Sequence, residues 1–162
     1  MTPYRIERLT AAHDRDGFSS GVEALDRYLK VQARQDARRS ISTCYVAVAQ
    51  QGNVLAGYYT LSMSSVPLLD LPQPVTRRLP RYPTLPAARL GRLAVDTRFR
   101  GQGLGRALLE SAIQRIETAE IAAFAVVVDA KDDAAALFYS RLGFVALRDT
   151  PLTLFLPVSP QP

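Results

Sequence analysis

Three glycines spaced two residues apart, Gly101, Gly103 and Gly105, point to chemistry more directly than any other pattern in this sequence. Glycine tolerates positive φ and lets a ligand approach the main chain closely. An apolar helical pattern follows, and a helix that begins here directs its unpaired N–H groups and the positive end of its dipole towards the loop. Residues 89–106 therefore predict an anion-binding site, most naturally for phosphate.

Two common phosphate-binding motifs do not match this loop. A nucleoside-triphosphate P-loop has the pattern G-x-x-x-x-G-K-[ST], which the sequence lacks. A dinucleotide-binding fingerprint has G-x-G-x-x-G tight against the first strand of the fold. Here the spacing is G-x-G-x-G, and predicted antiparallel strands precede it. The sequence therefore favours another class of phosphate site.

The segments before the loop predict a strand, a helix and a hairpin. Residues 4–9 alternate as a strand does, and a helix should begin near Ser20, because Ser20 and Glu23 fit the S-x-x-E capping box. Two apolar runs at residues 43–49 and 54–62, joined by QQGN, predict the hairpin. The core face of the helix is predicted to comprise Val22, Leu25, Leu29 and Ala33, with Tyr28 beside it.

The second strand of the hairpin and the segment after it contain residues that disturb regular structure. Gly57 predicts a bulge or a close backbone approach within that strand. Residues 66–86 contain six prolines, so we expect neither a regular strand nor a helix there. A long excursion of this kind is usually functional or mobile. Its candidates for contact with a macromolecular substrate are Arg77, Arg78, Arg81 and Tyr82.

The segments after the loop alternate between helix and strand. Residues 104–119 carry a helical stripe, and residues 124–128 are continuously apolar, as a strand buried on both faces is. A second helix follows and should end at Gly143. Residues 144–147 and 152–156 are predicted to form a closing pair of strands, with a short tail from residue 157 to the end.

Composition indicates one globular domain, residues 1–162, in a reducing cytoplasm. Hydrophobic residues make up 48% and charged residues 22% of the chain, and no stretch approaches the roughly 20 apolar residues of a membrane helix. The N-terminus does not have the pattern of a secretory signal. Cys44 lies in an apolar run and is interpreted as a buried core thiol, whereas His13 is interpreted as a solvated turn residue.

The positive charge is concentrated around the glycine loop. The net charge is +5, and residues 71–106 contain eight arginines against a single acid, Asp96. Such a field attracts anionic partners, including nucleic acid. Asp96 follows a strand, and an acid in that position is more often a turn or cap residue than a general base.

Two motifs together resemble the GNAT acetyltransferases. The run from Arg100 to Gly105, RGQGLG, matches the family's R-x-x-G-x-G signature, and ALFYSRLGF at residues 136–144 is similar to its second signature. The resemblance implies an α/β fold with an α+β mixed sheet: the GNAT acyl-CoA N-acyltransferase fold, a central, splayed, mostly antiparallel sheet flanked by helices. It also implies acetyl-CoA as cosubstrate and no metal.

The resemblance further implies roles for individual residues. Tyr139 is the expected acid that protonates the thiolate leaving group, and no general base is assigned. The pyrophosphate of CoA is expected on the amides of Arg100, Gly101, Gln102, Gly103, Leu104, Gly105 and Arg106. The pantetheine arm is expected to pair with Leu93, Ala94 and Val95. Phe138 is expected to be a packing residue that contributes to cofactor binding.

Three further motifs are similar to the toxin branch of bacterial toxin–antitoxin modules: F-x-x-G-x-x-x-L-D from Phe18, GYYTLS from Gly57 and LGRLAV from Leu90. This implies acetylation of the α-amino group of aminoacyl-tRNA, inhibition of translation, and a ribbon-helix-helix antitoxin through which alone the protein would reach operator DNA. It also favours a homodimer. The residues expected to contact tRNA are Arg92, Arg77, Arg78 and Arg89.

Two alternatives remain open from the sequence. The first is a GNAT enzyme that acetylates a small amine or a protein N-terminus, independently of RNA. The second is a non-catalytic protein that keeps the fold as a partner platform or co-repressor, in which replacement of Tyr139 would have no measurable effect.

Overall fold

The computed structural model describes residues 3–158, so residues 159–162 of the predicted tail lie outside it. Seven strands are hydrogen-bonded in the order β1-β2-β3-β4-β5-β7-β6. They are β1 (Tyr4–Arg8), β2 (Thr43–Ala49), β3 (Leu55–Pro67), β4 (Thr84–Val95), β5 (Ala125–Asp129), β6 (Val145–Leu147) and β7 (Thr150–Pro157). The pairs β1/β2, β2/β3, β5/β7 and β6/β7 are antiparallel, whereas β4/β5 is parallel. The predicted mixed, mostly antiparallel sheet is confirmed.

The helices lie between the strands in chain order. They are α1 (Glu23–Arg27), a π-helical turn (Tyr28–Gln32), α2 (Ala33–Arg38), α3 (Gln73–Thr76), α4 (Leu104–Glu117) and α5 (Asp133–Arg141), with 3-10 turns at Leu68–Asp70 and Thr97–Phe99. Hydrophobic spacing predicted one continuous first helix and did not predict its π-helical turn. Within residues 3–158, no helix has the length and apolar character needed to cross a membrane.

The chain divides into two compact units. The first comprises residues 1–62 and 91–114, and the second comprises residues 63–90 and 115–162. The core of the first unit is formed by side chains of the first helix and of strands β2 and β3, with Ala94 of β4. Leu29 and Ala33 are buried in the first unit, as the helical spacing predicted, whereas Val22 and Leu25 of the same predicted face are half-buried. Tyr28, expected beside that face, is buried as well. Cys44 is also buried, and burial raises the pKa of its thiol to about 12, which fits a core thiol.

The core of the second unit draws on the proline-rich segment. Its buried members include Val66, Leu71 and Leu85, together with Val127 and Phe155 of the paired strands β5 and β7. The expectation of no regular structure from residue 66 to 86 is wrong at both edges, where β3 extends to Pro67 and β4 begins at Thr84. It is also wrong in the middle, where the short helix α3 forms. Pro74 is accommodated in the first turn of α3, where no intrahelical N–H bond is lost.

The first helix begins near the predicted position, but the predicted capping box is wrong. The helix starts at Glu23, and its N-cap residue Val22 makes no side-chain cap. Ser20 instead donates its hydroxyl to Asp26 Oδ1 at 2.6 Å, and the Ser20 amide donates to the same oxygen at 2.9 Å. Asp26, one helical turn after Glu23, therefore accepts the hydrogen bond from the Ser20 amide that the capping box assigned to Glu23.

His13 is not the solvated residue that its polar surroundings suggested. Its side chain is only 10% exposed, with Nε2 3.2 Å from Glu7 Oε2. Its Nδ1 accepts a hydrogen bond from the Thr10 amide at 2.9 Å. The turn folds back on β1, which brings Glu7 of that strand to the His13 ring. His13 also lines a cavity of about 580 Å³ in the first unit.

Gly57 makes both a bulge and a close approach. The β2/β3 register shifts where Ala47 pairs with Gly57 and Val48 pairs with Leu55. A Cβ atom on Gly57 would lie 2.9 Å from the carbonyl oxygen of Ala94 and 2.9 Å from Leu108 Cδ1. Glycine at this position therefore allows β3, the end of β4 and helix α4 to pack tightly against one another.

Candidate active site

The glycine loop takes its shape from two glycines, not three. Gly101 has φ 76° and Gly103 has φ 77°, both in the left-handed region that favours glycine. Gly105 does not have a positive φ, because it lies in the first turn of α4. The expectation that all three glycines of the loop use positive φ is therefore wrong for Gly105. No heavy atom lies within 4 Å of a Cβ built on Gly101 or Gly103. Backbone conformation, and not crowding, therefore requires glycine in the loop.

Helix α4 begins directly after this loop. The Ala107 amide donates to the Gly103 carbonyl at 3.1 Å, and the amides immediately before it precede the first helical hydrogen bond. Buried Leu104 and Leu108 anchor the first turn of the helix, whereas Gly101, Gln102 and Gly103 are exposed. Because α4 has 14 residues, its dipole adds positive potential at this end. The loop can therefore receive a phosphate on backbone donors.

The polar side chains around the loop have partners within the protein. Arg100 donates to the Ser20 carbonyl oxygen, and Gln102 accepts from the Tyr4 hydroxyl. Arg106 forms an exposed ion pair with Glu110 at 2.9 Å, one helical turn further on. The backbone amides of the loop are therefore its available anion ligands.

Strand β4 carries the predicted thioester platform at its end. Ala94 is buried, and Leu93 and Val95 are half-buried. The parallel ladder with β5 runs from the Ala87–Ala125 pair to the Leu90–Val128 pair, so residues 93–95 lie beyond it. This part of the strand extends past its β5 partner, as a platform for an additional extended chain must.

Asp96, which follows this platform, is a structural residue. It is fully buried and caps the turn Thr97–Phe99, accepting hydrogen bonds from the Arg98 amide and guanidinium and from the Ser19 amide. Burial disfavours the ionised carboxylate, but these hydrogen bonds outweigh it and lower the pKa of Asp96 below its usual range. With its lone pairs engaged, Asp96 is suited to a cap and not to a general base.

Tyr139 lies on α5 in the second unit. The Asp132 side chain caps this helix by accepting from the Ala135 amide at 2.8 Å, and Gly143 ends it with φ 100°. Tyr139 is 7% exposed and contacts Phe138 and Phe144, with ring centroids 5.2 and 5.5 Å away. Burial raises the pKa of Tyr139 to about 12, so its hydroxyl keeps its proton through the physiological range.

The arginines predicted to contact RNA lie in different environments. Arg92 places its guanidinium carbon 3.6 Å from the centroid of the Tyr28 ring, whereas Arg89 forms an ion pair with Asp129. Arg78 is exposed. Arg77 lines a cavity of about 320 Å³ in the second unit. The other residues around that cavity are Leu68, Leu69, Leu71, Gln73, Thr76, Arg81 and Arg148.

Arg148 is the residue of this cavity that the sequence did not indicate. It lies in the turn between β6 and β7, and its amide donates to the Asp70 carbonyl at 2.9 Å. No motif or spacing relates Arg148 to Arg77 and Arg81, because a turn distant in the chain brings it there. Within residues 3–158, histidine, cysteine and acidic side chains form no group of three or more that could hold a metal ion.

Comparison with known proteins agrees with the geometry. The family model described as the acetyltransferase (GNAT) domain matches residues 14–152. A tRNA-acetylating toxin of Mycobacterium tuberculosis is 38% identical over 151 residues, which cover 92% of this chain and 89% of the relative.

Two solved structures of the toxin AtaT have the same fold. AtaT complexed with acetyl-methionyl-tRNAfMet is 31% identical, with TM-score 0.89 and coverage of 95% of this chain and 94% of that one. A tyrosine-to-phenylalanine mutant of AtaT, bound to the C-terminus of the antitoxin AtaR and to acetyl-CoA, is 28% identical, with TM-score 0.81 and coverage of 97% and 94%. The family model and the tuberculosis relative each match most of this chain, which therefore belongs to the GNAT acetyltransferase family.

Proposed function

We propose that this enzyme transfers the acetyl group of acetyl-CoA to the α-amino group of aminoacyl-tRNA and thereby blocks translation. The observation that carries the proposal is its similarity, over about nine-tenths of both chains, to a tRNA-acetylating toxin. The exposed glycine loop at the start of α4 and the protonated Tyr139 supply groups that such a transfer needs.

The donor side of the proposed site consists of main-chain groups. The amides from Arg100 to Arg106 would bind the CoA pyrophosphate, because the loop is open at Gly101 and Gly103 and precedes the positive end of α4. The amides of residues 93–95 would pair with the pantetheine arm and polarise the thioester carbonyl. Donors already fixed in place stabilise negative charge as it develops on that oxygen.

Tyr139 is proposed as the general acid, with Phe138 packed beside it. The amine nitrogen of the acceptor attacks the acetyl carbonyl carbon, the carbon–sulfur bond breaks, and Tyr139 donates its proton to the sulfur. The attacking nitrogen loses a proton to solvent water, and Tyr139 regains its proton from solvent, so attack by the neutral amine requires no assigned base. Because burial raises the pKa of Tyr139, we expect the rate to rise with pH as the amine, of pKa about 8, is neutralised. We expect no fall as pH approaches 10.

The acceptor side is proposed to use arginine side chains. Arg92 lies next to the thioester platform, and Arg77 and Arg78 belong to the proline-rich segment, with Arg81 and Arg148 around the same cavity as Arg77. Arginine presents a planar fork of donors that fits phosphate oxygens. Arg89 is left out of this proposal, because binding RNA would compete with its ion pair to Asp129.

The proposed setting is a bacterial toxin–antitoxin module in the cytoplasm. The proposal includes a ribbon-helix-helix antitoxin, a homodimeric toxin, and contact with operator DNA only through the antitoxin. AtaT bound to the C-terminus of AtaR, and the AtaT–AtaR complex bound to DNA, support the antitoxin part of this proposal.

Acetyl transfer from labelled acetyl-CoA to total aminoacyl-tRNA tests the reaction directly. We expect the wild-type protein to label charged tRNA, and Tyr139→Phe to lower kcat by roughly 10² to 10⁴-fold, the range for loss of a general acid. The affinity for acetyl-CoA should stay unchanged. Tyr59→Phe is the matched control, since it removes the hydroxyl of another buried tyrosine, one bonded to Ser111.

A growth assay distinguishes the toxin from the two alternative functions. Uncontrolled expression of the wild-type protein should stop growth, and Tyr139→Phe should relieve the arrest. Labelling of small amines or protein N-termini but not of charged tRNA would support the general acetyltransferase. A Tyr139→Phe protein as toxic as the wild type would contradict the acid role, and unlabelled substrates throughout would favour a non-catalytic platform.

A further inference from the structure

Arg92 differs from the other arginines of the basic segment because its guanidinium lies on the face of an aromatic ring. Its Cζ atom is 3.6 Å from the centroid of the Tyr28 ring. At this distance the cation interacts with the ring face, while the N–H groups at its edge remain available to a ligand. Of the described residues, none forms an ion pair or a hydrogen bond with the Arg92 guanidinium. Arg92 is therefore held in place without using its hydrogen-bond donors.

The ring beneath Arg92 is itself supported. Tyr28 stacks on Tyr58, with ring centroids 6.4 Å apart and an interplanar angle of 15°. Tyr58 is fully buried, and its hydroxyl donates to the Leu25 carbonyl at 2.7 Å. Arg92, Tyr28 and Tyr58 thus form three successive layers, the last of which belongs to the core of the first unit. Because these layers restrict the Arg92 side chain, it should lose little conformational entropy when it binds a ligand.

The hydroxyl of Tyr28 fixes the direction of the ring. It donates to Asp36 Oδ2 at 2.7 Å and lies 3.1 Å from Ser42 Oγ. The other carboxylate oxygen of Asp36 accepts from Gln32 Nε2 at 2.9 Å. The hydrogen bonds from Gln32 and Tyr28 lower the pKa of Asp36, so its carboxylate remains charged and keeps accepting. The ring is therefore held at its face and at its hydroxyl.

The π-helical turn is the local structure on which this arrangement is built. Tyr28 begins the turn and Gln32 ends it, and both side chains reach Asp36 in α2. Single π-helical turns occur frequently at functional sites, because they interrupt regular α-helical spacing. The interruption lies at the residue that supports Arg92.

The location of Arg92 relates it to the reacting amine. Arg92 directly precedes the proposed thioester platform at residues 93–95, and side chains alternate along a strand, so Arg92 and Ala94 point to the same face. Ala94 packs in the same core cluster as Tyr28. In aminoacyl-tRNA, the phosphate of the 3′-terminal nucleotide is the anionic group nearest to the α-amine. Arginine can bind such a phosphate with two parallel hydrogen bonds.

We infer that Tyr28 is a positioning residue, which holds Arg92 so that its free N–H edge binds the phosphate of the 3′-terminal nucleotide of the acceptor. The inference rests on the proposed function. Tyr28 and Asp36 would then contribute to the recognition of RNA acceptors. Substitution of Tyr28 or Arg92 should leave KM unchanged for acceptors that have no phosphate.

The test compares two acceptors, a charged tRNA and the methyl ester of the same amino acid, which has no phosphate. Arg92→Ala should raise KM for charged tRNA roughly 10- to 100-fold, as expected for loss of hydrogen bonds to a charged group. The KM values for acetyl-CoA and for the methyl ester should not change. The slope of log KM against log salt should fall by about one, the value for one phosphate that is no longer neutralised.

The Tyr28 variants separate positioning from folding. Tyr28→Leu should reproduce most of the Arg92→Ala effect, and the double variant should be little worse than Arg92→Ala alone, because both changes remove the same interaction with the phosphate. Tyr28→Phe keeps the ring and loses only the hydroxyl, so it should show a smaller rise in KM for charged tRNA. Arg27→Ala, an exposed arginine adjacent to Tyr28, is the control and should leave all KM values unchanged.

Each contrary result has a distinct meaning. If the wild type acetylated no charged tRNA, the proposed function itself would fail. If it did so and Arg92→Ala left KM for tRNA unchanged, only this inference would fail, and weaker binding of an antitoxin peptide by that variant would assign Arg92 to the antitoxin. Fully additive effects of Tyr28→Leu and Arg92→Ala, or an equal loss with the methyl ester, would show that Tyr28 does not act through Arg92.

Discussion

The arginines around the glycine loop have ion-pair or hydrogen-bond partners within the protein, whereas those around the cavity of the proline-rich segment have no ion-pair partner among the described residues. Arg98 pairs with Asp96 and Arg106 with Glu110, each at 2.9 Å, and Arg100 donates to a carbonyl oxygen. Arg77, Arg81 and Arg148 line one cavity of about 320 Å³, and no ion pair joins any of the three to another described residue.

This difference indicates two ways of binding phosphate. An arginine with an internal partner must exchange that partner to bind a ligand, whereas an arginine without one offers its donors directly. The loop region accordingly presents backbone amides, whose positions are set by φ angles and by the start of α4. The cavity region presents charged side chains without ion-pair partners among the described residues, and their binding to phosphate depends on salt. We therefore expect precise, salt-tolerant binding at the first region and salt-sensitive binding at the second.

The largest effect is expected from Asp96→Ala, which removes the internal partner of Arg98. Because buried Asp96 accepts hydrogen bonds from the Ser19 and Arg98 amides, its removal leaves these donors without their partner, and the free energy of unfolding should fall by about 3 kcal/mol. Urea denaturation at pH 7 measures this change in the free energy of unfolding. The matched control is Asp129→Ala, which breaks the more exposed Arg89 pair and should cost about 1 kcal/mol or less.

The pH dependence of the Asp96 contribution has a definite sign. The folded state lowers the pKa of this carboxyl, so the stabilisation is complete above the unfolded pKa, about 3.9. It is lost as the pH falls through the lower folded value. The difference in unfolding free energy between wild type and Asp96→Ala should therefore shrink below about pH 4. A difference that grew on acidification would contradict this assignment.

The next effect is expected from the triple substitution Arg77→Gln, Arg81→Gln and Arg148→Gln. Binding of charged tRNA should weaken, and the salt slope of log Kd should fall by about two to three, near one for each phosphate that is no longer neutralised. Acetyl-CoA affinity and unfolding free energy should not change. A control that removes the same charge elsewhere is Arg8→Gln with Arg38→Gln and Arg39→Gln, all exposed. Equal weakening in the control would mean that only net charge matters.

A smaller effect is expected from Gly103→Ala in the loop. Space for a Cβ is present, so the cost arises from φ 77°, about 1 to 2 kcal/mol for a residue with a side chain. We expect acetyl-CoA to bind roughly 10-fold more weakly, as calorimetry would measure, with tRNA affinity unchanged. Gly17→Ala is the control, because Gly17 also has free space and its φ is not positive. Equal losses in both variants would exclude the loop conformation as the cause.

The smallest effect is expected from Arg106→Gln. Its pair with Glu110 is exposed on both sides, at 66% and 64%, so stability should change by about 0.5 kcal/mol or less. Since its backbone amide would remain in the phosphate site, acetyl-CoA affinity should change by about twofold or less. A large loss of acetyl-CoA affinity would show that side-chain charge, and not the amides, carries donor binding.

Local patterns in the sequence were sufficient for most of the strands and helices and for the glycine loop before α4. The glycine spacing predicted a loop followed by a helix, and the structure has that loop before α4. A continuous apolar run predicted β5, whose residues Ala125 to Val128 are buried. Such features depend on φ angles and on helical or strand period, which neighbouring residues determine.

Several contacts that no local pattern indicates were decided only by the folded structure. Ser20 bonds to Asp26 and not to Glu23, His13 is covered by β1, and Arg148 reaches the cavity of Arg77 from a separate turn. Arg92 lies on Tyr28 because a π-helical turn in the first helix places that ring beside β4. The sequence by itself predicted the main-chain segment proposed to bind anions, because glycine spacing and the start of a helix are local features. Arg98 and Arg106 pair with acids close in the chain, whereas the fold decided the partners of the others, because Arg89 meets Asp129 and Arg100 meets Ser20 only through tertiary structure.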